Sequence, residues 1–151
     1  MQLINIKNSL FIFLGFTIIG LTSCKDKKAE QKKLQDEVMA VHDSLMMDMG
    51  KLTDKRMILT ELSQNLDSLK KINNSLDTLQ LRSEITNKKL ALSNADAAMM
   101  KWMNGFNPDY TGKSQDQIIS YLENQKIKID SVKTLLDQSL SNSNSLISKL
   151  K

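Results

Sequence analysis

The sequence predicts an all-α protein, an up-down-up three-helix bundle with coiled-coil-like heptad seams that follows a cleaved N-terminal signal. Three observations predict it. Apolar residues recur at 4-3-4 spacing over long stretches, the period of a helix face that packs against other helices. No alternating run of valine, threonine or aromatic residues is bounded by turn residues, so strand signals are absent. Beyond residue 23 the helix breakers are few, namely Gly50, Gly105, Gly112 and the single proline, Pro108.

The first element is the signal. Lys7 supplies a positive start, Leu10 to Leu21 form an apolar run of twelve residues, and Leu21-Thr22-Ser23-Cys24 follows as a lipobox. A membrane-spanning helix needs about 20 apolar residues, and this run is well short of that. The segment resembles the precursors of bacterial lipoproteins. That resemblance implies that the thiol of Cys24 is acylated, that the chain is cut before it, and that residues 24–29 are a lipid anchor and short tether. Cys24 is the only cysteine, which excludes a disulfide within the chain. Removing residues 1–23 from 151 leaves 128, a length that suits one domain over residues 30–151.

The first helix is expected over residues 30–72. Its seam runs through Leu34, Val38, Val41, Leu45, Leu52, Leu59, Leu62, Leu66 and Leu69 to Leu76, interrupted by Asp48, Lys55 and Asn73. A second seam, Leu81, Ile85, Leu92, Ala95, Met99, Trp102 and Phe106, is displaced in phase by two residues, a rotation of about 200° on one continuous helix. A turn at Asn73, Asn74 and Ser75 explains the displacement, because these side chains bond local backbone. The second helix is therefore expected over 75–105. Gly105 and Pro108 end it, and residues 107–112 read as a loop. Ser114 with Gln117 forms a capping-box pattern for a third helix over 114–147, faced by Ile118, Leu122, Ile129, Val132, Leu136, Leu146 and Leu150. The serine- and asparagine-rich stretch from Ser139 to Ser148 predicts a frayed end.

Width separates a bundle from a two-stranded coil. Met39, His42, Met46 and Met49 broaden the first apolar face to an arc of about 160°, more than one partner helix covers. Trp102, Phe106, Tyr110 and Tyr121 all fall around the second loop and are expected to cluster. Folding the first two helices back on each other pairs residue i with about residue 147 − i, given a tight helix–helix turn. Met39, His42, Met46, Met49, Met99 and Met103 then gather at one end. Thioethers and an imidazole suit Cu(I), and the same patch could line a groove for an apolar ligand. The ordinary reading of such a stripe is core packing, with methionine as a flexible filler. His42, the sole histidine, has Asp43 beside it as a partner.

Enzymatic signatures are missing. One histidine, no glycine-rich phosphate loop, no HExxH and no GxSxG leave nothing from which to assemble a nucleophile, base and oxyanion site. Glu30, Asp36, Glu37, Asp43 and Asp48 fall mostly on exposed helix faces. The 21 basic groups less Lys7 leave 20 against 17 acidic ones, a net of +3 dispersed without the basic patch that nucleic acid requires. Lys25, Lys27 and Lys28 can touch anionic headgroups beside an anchor that already holds the chain.

The lipobox, the segment Glu37-Val38-Met39-Ala40-Val41-His42-Asp43 followed by Met46, Met47 and Met49, and Ala98-Met99-Met100-Lys101-Trp102-Met103 before Phe106 resemble a group of small exported bacterial lipoproteins. That group is often labelled "viral A-type inclusion protein", a name that reflects helical sequence and carries no viral function. The resemblance covers most of the mature chain and implies no catalytic residues. The expected role is a non-enzymatic, lipid-anchored structural or interaction module of the cell envelope, meeting an envelope protein through a helical face. Lys25 in place of an aspartate after Cys24 points to the outer membrane, and the periplasm-facing leaflet is expected over the cell surface.

Overall fold

The computed structural model describes residues 20–150, with side chains from residue 26 onward. The signal segment 1–19 and the Cys24 thiol therefore lie outside the described residues. Four α-helices and no strand occur among the described residues: α1 (Gly20–Gln64), α2 (Leu66–Ile72), α3 (Thr78–Gly105) and α4 (Gln115–Lys149). No helix among them is long and apolar enough to cross a membrane.

Each long helix is organised by a heptad seam with a deep and a shallow set of positions. In α1 and α2 the deep set is Val38, Leu45, Leu52, Leu59 and Leu66, none more than 1% exposed. Val41, Leu62 and Leu69 form the shallow set, half-buried against the same core. The polar interruptions Asp48 and Lys55 both fall on the shallow set, so the deep row runs unbroken through five heptads. In α3 the deep set is Ile85, Leu92 and Met99, and in α4 it is Leu122, Ile129, Leu136 and Ser143, all fully buried. Short helices are marginal in water, so these buried rows are what hold the elements in place.

Asn65 separates α1 from α2 without changing the seam. Its N–H is shared between the carbonyls of Glu61 and Leu62, while its side-chain amide donates to Glu61 O at 3.0 Å. Leu69 N returns to Asn65 O at 3.0 Å, so the helical path resumes in register. The expected turn follows. Asn73 Oδ1 accepts from Ser75 N and Ser75 Oγ, and Lys70 Nζ donates to the carbonyls of Asn74 and Leu76. The second helix begins later than the expected residue 75. Ser75 spends its hydroxyl on Asn73, whereas the Asp77 carboxylate accepts from both Leu79 N and Gln80 N and caps α3. A carboxylate is also the better complement to a helix N-terminus.

Two cross-helix contacts set α1 against α3. His42 meets Trp102, and Arg56 reaches Ser93 Oγ at 3.3 Å and Asp96 Oδ2 at 3.8 Å. These pairs run in opposite directions along the two helices and lie within about one helical turn of the expected register. The N-terminus of α4 returns beside that of α1, where Gln115 Nε2 donates to Lys27 O and Gln31 Oε1 and Asp116 pairs with Lys27. α1, α3 and α4 each pack against the other two, making a helical bundle with one continuous core.

Two further expectations require correction. Residues 24–29, expected to form a tether, belong to α1, because Lys27 is fastened to α4 through Asp116 and Gln115. The stretch from Ser139 to Ser148, expected to fray, stays helical, and α4 continues to Lys149 rather than residue 147. Ser139 and Ser143 occupy seam positions at 2% and 0% exposure, and Leu146 and Ile147 are buried beside them, so tertiary packing overrides poor propensity.

Truncating the deep row should be costly while truncating the exposed end of α2 should not. Leu66→Ala is expected to lose about 2–5 kcal/mol and Trp102→Ala about 3–5 kcal/mol. Ile72→Ala, at an exposed position, should stay within about 0.5 kcal/mol. Urea unfolding followed by circular dichroism measures all three, and equal midpoints would mean that the rows do not form one cooperative core.

Candidate functional site

The end of the bundle nearest the α3–α4 loop gathers the least ordinary side chains. α3 stops at Gly105 as Phe106 turns to extended backbone, and Asn107 Oδ1 accepts from Asp109 N at 2.9 Å. Asp109 Oδ1 in turn accepts from Thr111 N and Thr111 Oγ1, which holds its carboxyl below the ordinary value. Gly112 takes φ +77°, a left-handed conformation that a side chain would strain, and Ser114 and Gln117 complete the capping box that starts α4.

This loop closes over a chain of rings. Trp102 stacks on Phe106 at a centroid distance of 5.0 Å, Phe106 lies 6.2 Å from Tyr121, and Tyr110 meets Tyr121 edge-on at 6.1 Å. The Tyr121 hydroxyl accepts from Asn107 N at 2.8 Å, so the same ring that packs the cluster also fixes the loop. Burial, followed by the neighbouring Tyr121, pushes the Tyr110 phenol up, and its hydroxyl has no partner. The four aromatics therefore assemble as their sequence positions suggest.

His42 extends the ring chain into α1, 5.8 Å from Trp102. Its Nδ1 lies 2.8 Å from Asp43 Oδ1, so the tautomer protonated at Nδ1 donates to that carboxylate. Among the described residues the ring's hydrogen-bond and aromatic contacts are with Asp43 and Trp102. The methionines named with it divide between environments. Met99 is fully buried, Met49 and Met103 pack against the core, Met39 is half-buried, and Met46 is 44% exposed. Three of the candidate sulfurs thus belong to core-packed side chains, while Met46, Met47 and Met100 face solvent. No group of three histidine, cysteine or carboxylate residues converges on a point among the described residues.

A groove of about 410 Å³ opens beside Trp102, between α3 and α4, where Gln125 and Val132 line it with Ala98 and Gly105. Gln125 is only 5% exposed. It escapes an apolar-only reading of the third seam, although the spacing of Ile118, Leu122 and Ile129 places residue 125 on the same face.

No family model, curated protein or solved structure matches the chain.

Replacing Met46 and Met99 together with leucine nearly conserves volume and removes two thioethers. Stability should change by less than about 1.5 kcal/mol, and the intact chain should fail to compete with a Cu(I) chelator under reducing conditions. Competition that the double variant abolishes would assign the methionines to copper instead of packing.

Proposed function

We propose that this chain is a lipid-anchored, non-enzymatic interaction module of the bacterial cell envelope, its mature part an up-down-up three-helix bundle. The observation that carries the reading is the cysteine at the end of a twelve-residue apolar run, Leu21-Thr22-Ser23-Cys24. A run too short to span leaves acylation of Cys24 as the means of holding the chain at a membrane. The antiparallel contacts of α1 with α3 and the return of α4 beside the start of α1 support the bundle topology.

The interaction reading rests on surface chemistry. Ile72 and Leu79 flank the turn between α2 and α3 at 85% and 80% exposure, and Met47 and Met57 are similarly open on α1. Exposed apolar side chains on rigid helices are what a protein partner grips. Lys25 after the cysteine favours attachment to the outer membrane, on its periplasm-facing leaflet in this reading, and membrane fractionation on a density gradient tests the choice of membrane. The resemblance to small exported helical lipoproteins agrees with this role.

Cys24→Ala should abolish acylation and block processing before residue 24. Metabolic labelling with a fatty-acid analogue measures it, and undiminished label in the variant would overturn the anchor. Loss of label with unchanged circular dichroism is the expected result, because the deep rows begin at Val38 and owe nothing to the thiol.

A further inference from the structure

α3 carries a second 4-3 row besides the buried one. Leu79, Leu90, Ala97 and Met100 lie on it, two residues out of phase with the buried seam, a rotation of about 200° that turns them away from the core. The remaining positions of the row between 79 and 104 are serine, threonine or asparagine, and the six charged side chains of α3 all fall beside it. Leu79 is 80%, Leu90 57% and Met100 47% exposed. Only Ser93 is half-buried, where its hydroxyl accepts from Arg56. The outer faces of the other long helices differ. On α1, Asp43, Asp54 and Glu61 alternate with Met47 and Met57, and on α4 Ile127 is the single apolar residue of the corresponding row.

A charge-free row that keeps 4-3 spacing for about 38 Å is the pattern of a coiled-coil face, so its natural cover is another helix. The side chains flanking the row select which one. In a parallel two-fold pair, a residue on one flank faces the residue five positions on in the other copy. Asp96 then faces Lys101 of the second copy, twice by symmetry, while Arg82 and Lys89 face Asn87 and Asn94. Opposite charges meet and like charges do not. Lys101 has no acidic partner of its own among the described residues, and Asp96, 3.8 Å from Arg56, leaves 39% of its side chain open. The same register sets Leu79, Leu90 and Met100 each against its own copy. Antiparallel pairing loses one advantage or the other: full overlap sets Leu79 against Asn104, and the next register sets Lys89 against Lys89.

We infer that this row pairs α3 with α3 of a second copy of the chain, parallel and in register. The pairing names the partner for the interaction reading above and rests on that reading for its place at a membrane. The Lys27 end lies next to the cysteine, so two chains anchored in one leaflet already stand parallel. Confinement there raises their effective concentration, which allows a row that is half polar to associate. The spacing and the flanking charges do not depend on the anchor.

The test is disulfide trapping of the full chain in phosphatidylcholine vesicles, with copper phenanthroline as oxidant. Ser83→Cys and Ala97→Cys place a thiol on the row, and Ser141→Cys places one on the outer face of α4. The first two should each give a linked dimer and the third should not. The Ser83→Cys chain mixed with a tagged Ala97→Cys chain should give no mixed dimer, because the two positions lie about 21 Å apart along a parallel pair. Leu90→Lys, an exposed change, should lower both yields about tenfold by burying a charge in the row, with far-UV circular dichroism unchanged. A dimer from the chain without an added cysteine would come from a free Cys24 and would overturn the anchor, not the row. No dimer at 83 and 97, equal yield at 141, a mixed dimer, or yields undiminished by Leu90→Lys would each overturn the pairing.

Discussion

The unbroken row Val38, Leu45, Leu52, Leu59 and Leu66 is the constraint on which the rest of the structure depends. Seven-residue spacing returns each side chain to nearly the same azimuth, so a single stripe can stay buried over the whole of α1 and the start of α2. α3 and α4 bring their own rows to the same core, and no helix could keep its stripe dry alone. The break at Asn65 shows how strict the requirement is. The helical path is interrupted there, yet Leu66 and Leu69 remain on the seam because Leu69 N bonds back to Asn65 O. The backbone yields before the row does.

Polar residues enter the seams according to depth. Asp48, Lys55 and Lys88 are half-buried, positioned so that a long or charged side chain reaches the rim; Asp48 there accepts from Lys51. The fully buried positions admit only Ser143, whose hydroxyl has no partner, beside the nearly buried Ser139, whose hydroxyl donates to Leu136 O. Serine removes volume where two helices would otherwise be held apart, and its cost is one unsatisfied hydroxyl rather than a buried charge. Along the rim, Lys126 is raised by its hydrogen bond to Asp130, and Lys133 by its bond to Asp137. Lys126–Asp130 is half-exposed and Lys133–Asp137 exposed, and i,i+4 pairs so open to water fix side-chain direction more than they add stability.

How much of this was legible in the sequence follows the same depth rule. Every apolar residue assigned to a seam between Val38 and Leu146 is buried or packed against the core, because heptad spacing reads burial directly. The aromatic cluster and the Ser114 capping box were equally plain, each being a local arrangement of a few specified side chains. Polar seam residues were not legible. Gln125, Ser139 and Ser143 look like surface by composition, and only their phase relative to Leu122 and Ile129 betrays them. The start of α3 was missed for a similar reason, since Ser75 and Asp77 are both good caps and the choice depends on Asn73 occupying the serine hydroxyl. Nor could the sequence separate the methionines. Met46 and Met49 differ by three residues, yet one is exposed and the other packs on the core.

The fold also gives the chain a direction. α1 and α2 run from the cysteine-bearing end to the turn at residues 73–77. From Lys27 to Ile72 the axis covers about 68 Å at the rise of an α-helix, so the two ends of the molecule lie far apart. The α3–α4 loop, with Tyr110 and Tyr121, sits at the Lys27 end because Gln115 and Asp116 fasten it there. Ile72 and Leu79 occupy the other end, solvated on both sides of the turn. On the proposed anchor, the aromatic loop faces the membrane and the exposed apolar tip is carried far beyond the headgroups. A tether would lose that reach to chain entropy, whereas a continuous helix pinned by Lys27 holds it. The helical start of α1, where a short tether was expected, would on that proposed anchor make the bundle a spacer.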